Sequence, residues 1–193
     1  MSNTILAIVG LAGAGKTEST EYLMKKTGWP KVYFGQVVMD EVSARNLPVN
    51  EANERNVREE LRAKHGMAAM AVLSIPKIKE LYKSTNVILE SLYSWEEYLA
   101  IKEEFGENFK VVAIYSSLPT RVERMKIRPF RPLSEENLIS RDKSQIENLH
   151  QAGPIARADW TIINEGSKEE LYSNLEKIIK ELIDNPDIGI LNL

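Results

Sequence analysis

The chain contains no cysteine among its 193 residues. Disulfides, thiolate metal sites and a cysteine nucleophile are thereby excluded. Only two histidines occur. His65 and His150 stand isolated, and each reads as a surface or packing residue rather than a catalyst or metal ligand. No apolar run approaches the length needed to cross a bilayer, and the opening MSNTILAIVG lacks the basic n-region of a secretory signal. The expectation is a cytoplasmic protein with no membrane partner. Excess basic charge is missing too, since 25 Lys+Arg against 28 Asp+Glu leave a formal net charge of −3. That balance argues against a dedicated nucleic-acid binder, and none is expected as a partner.

What is present is ordinary in amount and specific in arrangement. Hydrophobic content of 43% and charged content of 27% are typical of one globular domain with room for small insertions. Short β-branched runs alternate with longer helical patterns. Ile5–Val9, Val32–Phe34, Val87–Glu90, Val111–Tyr115 and Trp160–Ile163 read as five buried strands. Helices are predicted over Lys16–Lys26 and from about Gln36 to Arg45. Ser94 with Glu97, and Ser167 with Glu170, have the capping-box spacing that starts a helix. Leu171, Leu175, Ile178, Ile179 and Leu182 form an apolar stripe at helical spacing. Such alternation predicts an α/β fold with a parallel sheet covered by helices on both faces. The tail 185–193 carries no readable chemistry.

Gly10, Gly15, Lys16 and Thr17 match G-x-x-x-x-G-K-[ST], after a predicted strand and opening a predicted helix. Glycines let successive backbone N–H groups converge on a phosphate, and the helix start adds partial positive charge. The stretch Gly10, Leu11, Ala12, Gly13, Ala14, Gly15, Lys16, Thr17, with Glu18 beyond it, is therefore the candidate ATP-binding loop. Lys16 suits the β- and γ-phosphates, and the Thr17 hydroxyl suits Mg²⁺. No Asn-Lys-x-Asp tetrad for guanine is present.

Two stretches break the simple alternation: about 50–82, with two helical patterns and no strand signal, and about 128–151, polar and arginine-containing. Both should overhang the strand ends, where open parallel sheets bind ligands. A small nucleotide kinase needs two such additions, one to hold an acceptor and one to close as a lid. Arg121, Arg124 and Arg128 fall on one helix face beside an apolar stripe of Leu118, Val122 and Met125. Arg131 and Arg141 add charge from the lid. Guanidinium groups fork around phosphate oxygens and spread developing charge, while a merely solvated basic face stands as the alternative. Arg55, Arg58 and Arg62 repeat the spacing in the first addition. Surrounding glutamates make a salt-bridged surface helix the competing reading to acceptor binding. Tyr93 and Trp95 either wall a base pocket or anchor the next helix.

The order GLAGAGKT, VYFG, VNEANERNVREELRAKHGMAA, VILESLYSW, VVAIYSSLPTRVERMKIRPFR, RD and ADWTIINEGS resembles an uncharacterised family of archaeal and bacterial P-loop proteins related to adenylate kinase. It is more distantly similar to dephospho-CoA kinases. The resemblance spans residues 4 to about 180. It implies a P-loop NTPase fold of nucleotide-kinase type, a five-stranded parallel sheet of order 2-3-1-4-5 with acceptor-binding and lid insertions, and ATP with Mg²⁺. The core would be about 1–49, 83–127 and 152–184. In similar kinases the loop after the last strand, here Asn164–Gly166, offers backbone groups to the adenine.

Two positions depart from the family pattern. Glu90 and Ser91 stand where an Asp-Gly is usual, so an outer-sphere Mg²⁺ role for Glu90 is the expectation. Gln36 stands where related proteins place an aspartate, which in dephospho-CoA kinases helps to activate a ribose hydroxyl. Gln36 cannot accept a proton at neutral pH. A hydroxyl acceptor benefits from a base, whereas a nucleoside monophosphate presents an already ionised oxygen. Asp40 or Glu41, one turn on, offer partial compensation. The expected activity is ATP-dependent phosphorylation of an AMP-like nucleoside monophosphate, with Lys16, Arg124, Arg128, Arg131 and Glu90 catalytic. Gln36, Arg55, Arg58, Arg62, Tyr93 and Arg141 are the acceptor candidates. A dephospho-CoA kinase-like activity and a nucleotide-binding regulator or slow ATPase are the alternatives.

Overall fold

The computed structural model describes residues 3–129 and 132–184; Arg131 and the tail 185–193 lie outside the described residues. The elements run β1 (Ile5–Val9), α1 (Lys16–Thr27), β2 (Lys31–Tyr33), α2 (Gln36–Ala44), α3 (Glu51–His65), α4 (Ala69–Tyr82), β3 (Val87–Glu90), α5 (Trp95–Phe105), β4 (Phe109–Tyr115), α6 (Leu118–Lys126), α7 (Glu135–Glu147), α8 (Ala152–Ala156), β5 (Trp160–Ile163) and α9 (Lys168–Asp184). All pairings are parallel, and the order is β2-β3-β1-β4-β5. The P-loop kinase architecture follows, with β1 central and register Ile5↔Val87 on one side and Ile5↔Phe109 on the other.

The strands are apolar on both sides because both sides are covered. Ile5, Ala7 and Val9 point into one core with residues of α2, α3, α4 and α5. Leu6 and Ile8 point into the other, closed by Leu23 of α1 and by Leu171, Leu175, Ile178, Ile179 and Leu182 of α9. The α9 stripe is thus buried as its spacing predicts. Ser94 and Glu97 form the full capping box on α5, and Ser167 Oγ accepts from Glu170 N at 3.2 Å.

Segment 50–82 becomes α3 and α4. Ala69, Met70, Ala71 and Ile78 of α4 lie in the same core as β1 and β3, and Val57 and Leu61 of α3 join them. This stretch therefore covers one face of the sheet. A third, small apolar cluster of Ala12, Val122, Met125 and Leu138 joins the glycine-rich loop, α6 and α7. It is the seam along which α7 docks.

A candidate phosphate-transfer site

The loop between β1 and α1 is held from behind. Gln151 Nε2 donates to Gly10 O (3.0 Å), Arg121 Nη1 to Ala12 O (3.1 Å) and Asn164 Nδ2 to Ala14 O (2.8 Å). The three side chains come from α6 and from segments flanking α8 and β5, and all are buried. A trans peptide sets each C=O opposite the following N–H. Tying these three carbonyls back therefore turns the N–H groups of Leu11, Gly13 and Gly15 the other way. The Gly15 N-cap of α1 has φ 109° and no side-chain cap, so the first-turn donors remain open to an anion. A Cβ on Gly15 would run into Asn164 Nδ2, and one on Gly10 into Ile114 O. Glycine is needed at both places for close approach as well as for conformation.

In front of the loop lies a cavity of about 790 Å³. One wall is the loop and α1, with Lys16, Thr17, Glu18 and Glu21. The second comes from β2, α2 and the end of β3, with Lys31, Tyr33, Gln36, Glu90, Ser91 and Tyr93. The third is Arg124 and Met125 of α6, Arg128 just beyond its end, and Arg141 of α7. Donor-side and acceptor-side candidates thus share one space. Lys16 Nζ folds back onto Leu11 O at 2.9 Å. Burial, with Arg141, Arg121 and Arg128 nearby, pushes its ammonium down to about 7. A bound polyphosphate would reverse that by pairing with it.

Arg124 lines the cavity and donates to Ser116 Oγ at 2.9 Å. Arg121 does not line it. Its guanidinium is 5% exposed, forked onto Asp142 at 3.0 and 2.7 Å and tied to Ser116 O at 3.2 Å. It lies on the carbonyl side of the loop and holds the loop's backbone through Ala12 O. Asn164 is similarly committed: its carbonyl accepts from Ser116 Oγ (2.6 Å) and its N–H donates to Tyr115 O (2.7 Å). Its backbone therefore serves the β4–β5 junction, while Gly166 of that loop is exposed. Glu18 borders the cavity, with its carboxylate held by Lys168 and Tyr172.

On the second wall, Gln36 Nε2 donates to Asp40 Oδ1 at 2.8 Å. Glu41 is engaged by Arg45 at 2.8 Å, so only Asp40 stands behind Gln36. Ser91 has φ 71°, the left-handed conformation that a glycine would adopt freely. Its hydroxyl donates to the Tyr93 hydroxyl at 3.1 Å. The Tyr93 N–H donates to Glu97 Oε2 at 2.7 Å. Burial pushes the Glu97 carboxyl up to about 7, against the pull of its two backbone N–H donors. Tyr93 and Trp95 separate in role: Tyr93 lines the cavity, while Trp95 stacks on Tyr98 with centroids 5.0 Å apart and covers Gly153.

The α3 arginines do not line the cavity. Arg55 is exposed and paired with Glu59 at 2.9 Å. Arg62 is half-buried near Glu97, with its Nε lacking a partner. Arg58 is close enough to Tyr33 to act on its hydroxyl electrostatically. Among the described residues no group of three or more His, Cys, Asp or Glu forms a metal cage. Thr17 and Glu90 supply two hard oxygen donors, which suits an ion that arrives with phosphate and keeps several waters, as Mg²⁺ does.

A family model described as an AAA domain matches residues 6–148. A UPF0200 protein of Pyrococcus furiosus is 32% identical over 185 residues, covering 93% of this chain and 98% of its own length. The chain belongs to the UPF0200 family. A UPF0200/UPF0201 protein of Archaeoglobus fulgidus is 34% identical over 189 residues, covering 96% of this chain. The chain spans only 58% of that relative's length. Among solved structures, a shikimate kinase from Bacteroides thetaiotaomicron matches with a TM-score of 0.57 at 15% identity, covering 94% of this chain and 98% of that one. At that identity the likeness shows the fold alone, and the fold is that of a P-loop kinase. No helix among the described residues is long and apolar enough to cross a membrane.

Sequence reasoning missed Asp142, Gln151, Ser116, Lys31, Tyr33 and Glu21 at this candidate site. Asp142, Gln151 and Ser116 act through partners distant in the chain, and no local pattern marks them. Lys31 was legible: in Lys-Val-Tyr, Val32 faces the core and both neighbours must face the other way.

Proposed function

We propose that this protein is a Mg-ATP-dependent nucleotide kinase that passes the γ-phosphate of ATP to a nucleoside monophosphate, AMP-like acceptors being favoured. The observation that carries this reading is the wall opposite Lys16. It offers Gln36 where a hydroxyl-activating acid would stand, and its one carboxylate, Glu90, is already ion-paired with Lys31 at 2.6 Å. An acceptor there must bring its own ionised oxygen.

In this reading the N–H groups of the loop and Lys16 hold the donor's β- and γ-phosphates. Arg124, Arg128 and Arg141 face them across the cavity, where charge spreads over the transferring group. Arg131 would add to this set from the same segment. An acceptor phosphate oxygen forms the new bond to Pγ as the bond to the β,γ-bridging oxygen breaks. ADP leaves and no proton need move. When bound, Mg²⁺ would supply charge neutralisation at the β- and γ-oxygens, held by Thr17 directly and by Glu90 through water. Tyr33 and Tyr93 flank the acceptor, and Arg58 and Arg62 lie behind them on α3. The 128–151 segment acts as the lid, with Leu138 and Asp142 fixing its docked position. The backbone near Gly166 receives the adenine. The site lies in a chain expected to act in the cytoplasm.

A panel of nucleoside monophosphates plus dephospho-CoA, assayed for ADP formation with Mg-ATP, tests this. One monophosphate should raise turnover toward the roughly 1–100 per second usual for the chemistry. Equal turnover with and without every acceptor would leave a slow ATPase or regulator, and a 3′-phosphorylated product from dephospho-CoA would reverse the choice of acceptor. Lys16→Ala should abolish productive ATP binding in either case.

A further inference from the structure

Lys31 belongs to the edge strand β2, yet its ammonium does not point freely into solvent. In the β2–β3 register Lys31 lies opposite Ile88, and Tyr33 opposite Glu90. Lys31 and Glu90 therefore sit diagonally on one face, and the ammonium reaches Glu90 Oε2 at 2.6 Å. Both line the cavity. The pair is not an ordinary surface contact, because the Glu90 side chain is only 16% exposed. Lys16 is close enough for Glu90 to act on it electrostatically as well, so one carboxylate serves two lysines of the cavity.

The charges around the cavity do not balance. Lys16, Lys31, Arg124, Arg128 and Arg141 face Glu18, Glu21 and Glu90, and Glu18 is already engaged by Lys168 at 2.7 Å. The surplus lies on the wall of Arg124, Arg128 and Arg141, whereas on the second wall Lys31 is matched by Glu90 alone, so an anion bound there must compete with Glu90 for Lys31. We propose that Lys31 is the acceptor-sensing residue: parked on Glu90 while the second wall is empty, it is drawn off by the acceptor's anionic group. Glu90 is then left for metal-bound water. Lys31 is a positioning residue in this scheme, because it acts on the metal through Glu90. Acceptor and metal must consequently bind cooperatively, each strengthening the other by the same factor. The inference rests on the kinase reading for the word acceptor, but the competition of Lys31 for Glu90 does not.

The test follows Mn²⁺ by electron paramagnetic resonance in the full-length protein saturated with a non-hydrolysable ATP analogue, with and without AMP, and separately with inorganic phosphate. In the wild type either anion should tighten Mn²⁺ by about fivefold, the lower end of ordinary site–site coupling. Lys31→Met should bind Mn²⁺ that tightly without any anion, and adding one should change nothing. Lys31→Arg should retain the coupling, and the thermal midpoints of both variants show that the edge strand is intact. Unchanged Mn²⁺ affinity in Lys31→Met, or equal coupling in wild type and Lys31→Met, overturns the inference. If the acceptor panel fails while Lys31→Met still tightens Mn²⁺, the kinase reading falls and the role of Lys31 stands. The reverse pattern removes Lys31 alone.

Discussion

Asp142→Ala should be the most damaging single change away from the loop itself. Arg121 is 5% exposed, and Asp142 accepts both of its terminal nitrogens, at 3.0 and 2.7 Å. Removing the carboxylate leaves a guanidinium charge in a low-dielectric seam with only the carbonyls of Ala12 and Ser116 as partners. Breaking a buried pair from one side costs about 3–5 kcal/mol, a large part of the roughly 5–15 kcal/mol that stabilises a typical domain. The loss can appear in two ways. If α7 stays docked, the whole cost falls on global stability, read as a lower midpoint in urea with an unchanged slope. If α7 undocks instead, global stability changes less, and amide exchange along Glu135–Glu147 accelerates. Replacing both partners, as in Arg121→Met with Asp142→Leu, should recover most of the stability, because no charge is then left buried. Nucleotide affinity should stay reduced in the double variant, since Ala12 O loses its tether. A change below about 0.5 kcal/mol in Asp142→Ala, with α7 exchange unaltered, would refute this view of the seam; ordinary surface substitutions stay within that range.

Glu97 gives a pH signature. Its folded value near 7 lies above its ordinary 4.5, so the folded state holds a proton that the unfolded state releases, and stability falls as pH rises from about 5 to 8. Glu97→Gln keeps an acceptor for the N–H groups of Tyr93 and Ser94 and should remove about 2 kcal/mol of that fall. Denaturation at pH 5.5 and pH 8 measures it, and parallel losses in both proteins would contradict the assignment. Asn164→Ala removes the tie to Ala14 O. Ala14 O then keeps only the longer contact from Ser116 Oγ at 3.3 Å, so the change should cost about 1 kcal/mol and weaken ATP-analogue binding by calorimetry. Weakened stability with unchanged nucleotide affinity would mean that the loop does not need its rear support.

Much of this architecture was legible in the sequence because it is written locally. Ile5–Val9 and Trp160–Ile163 are β-branched runs bounded by turns, and the strand bounds there agree with the structure residue for residue. Order 2-3-1-4-5 came from resemblance to a family, since pairing order is not a local property. The arginines show where the reading stops. Arg121, Arg124 and Arg128 have the spacing of one helix face, but α6 ends at Lys126 and Arg128 lies beyond it, and 3.6-residue periodicity cannot tell which of them meets a carboxylate 21 residues later. One of the three is buried by Asp142 while the other two line the cavity. Asn164 is expected from the family resemblance to offer its backbone to the adenine, and only the fold shows its side chain packed under Gly15. Segment 50–82 was read from its lack of strands; that α4 also closes a core depends on its being placed against β3.

The central claim is that the γ-phosphate is handed to an ionised phosphate oxygen. Phosphorus-31 magnetic resonance of a reaction with Mg-ATP and the best monophosphate in the panel tests it most directly. Each ATP consumed should yield two nucleoside diphosphates (two ADP where the acceptor is AMP), seen as α- and β-phosphorus doublets growing while the monophosphate resonance falls, with no matching growth of inorganic phosphate. Inorganic phosphate appearing in step with ADP, or a new phosphomonoester resonance on a hydroxyl, would contradict it.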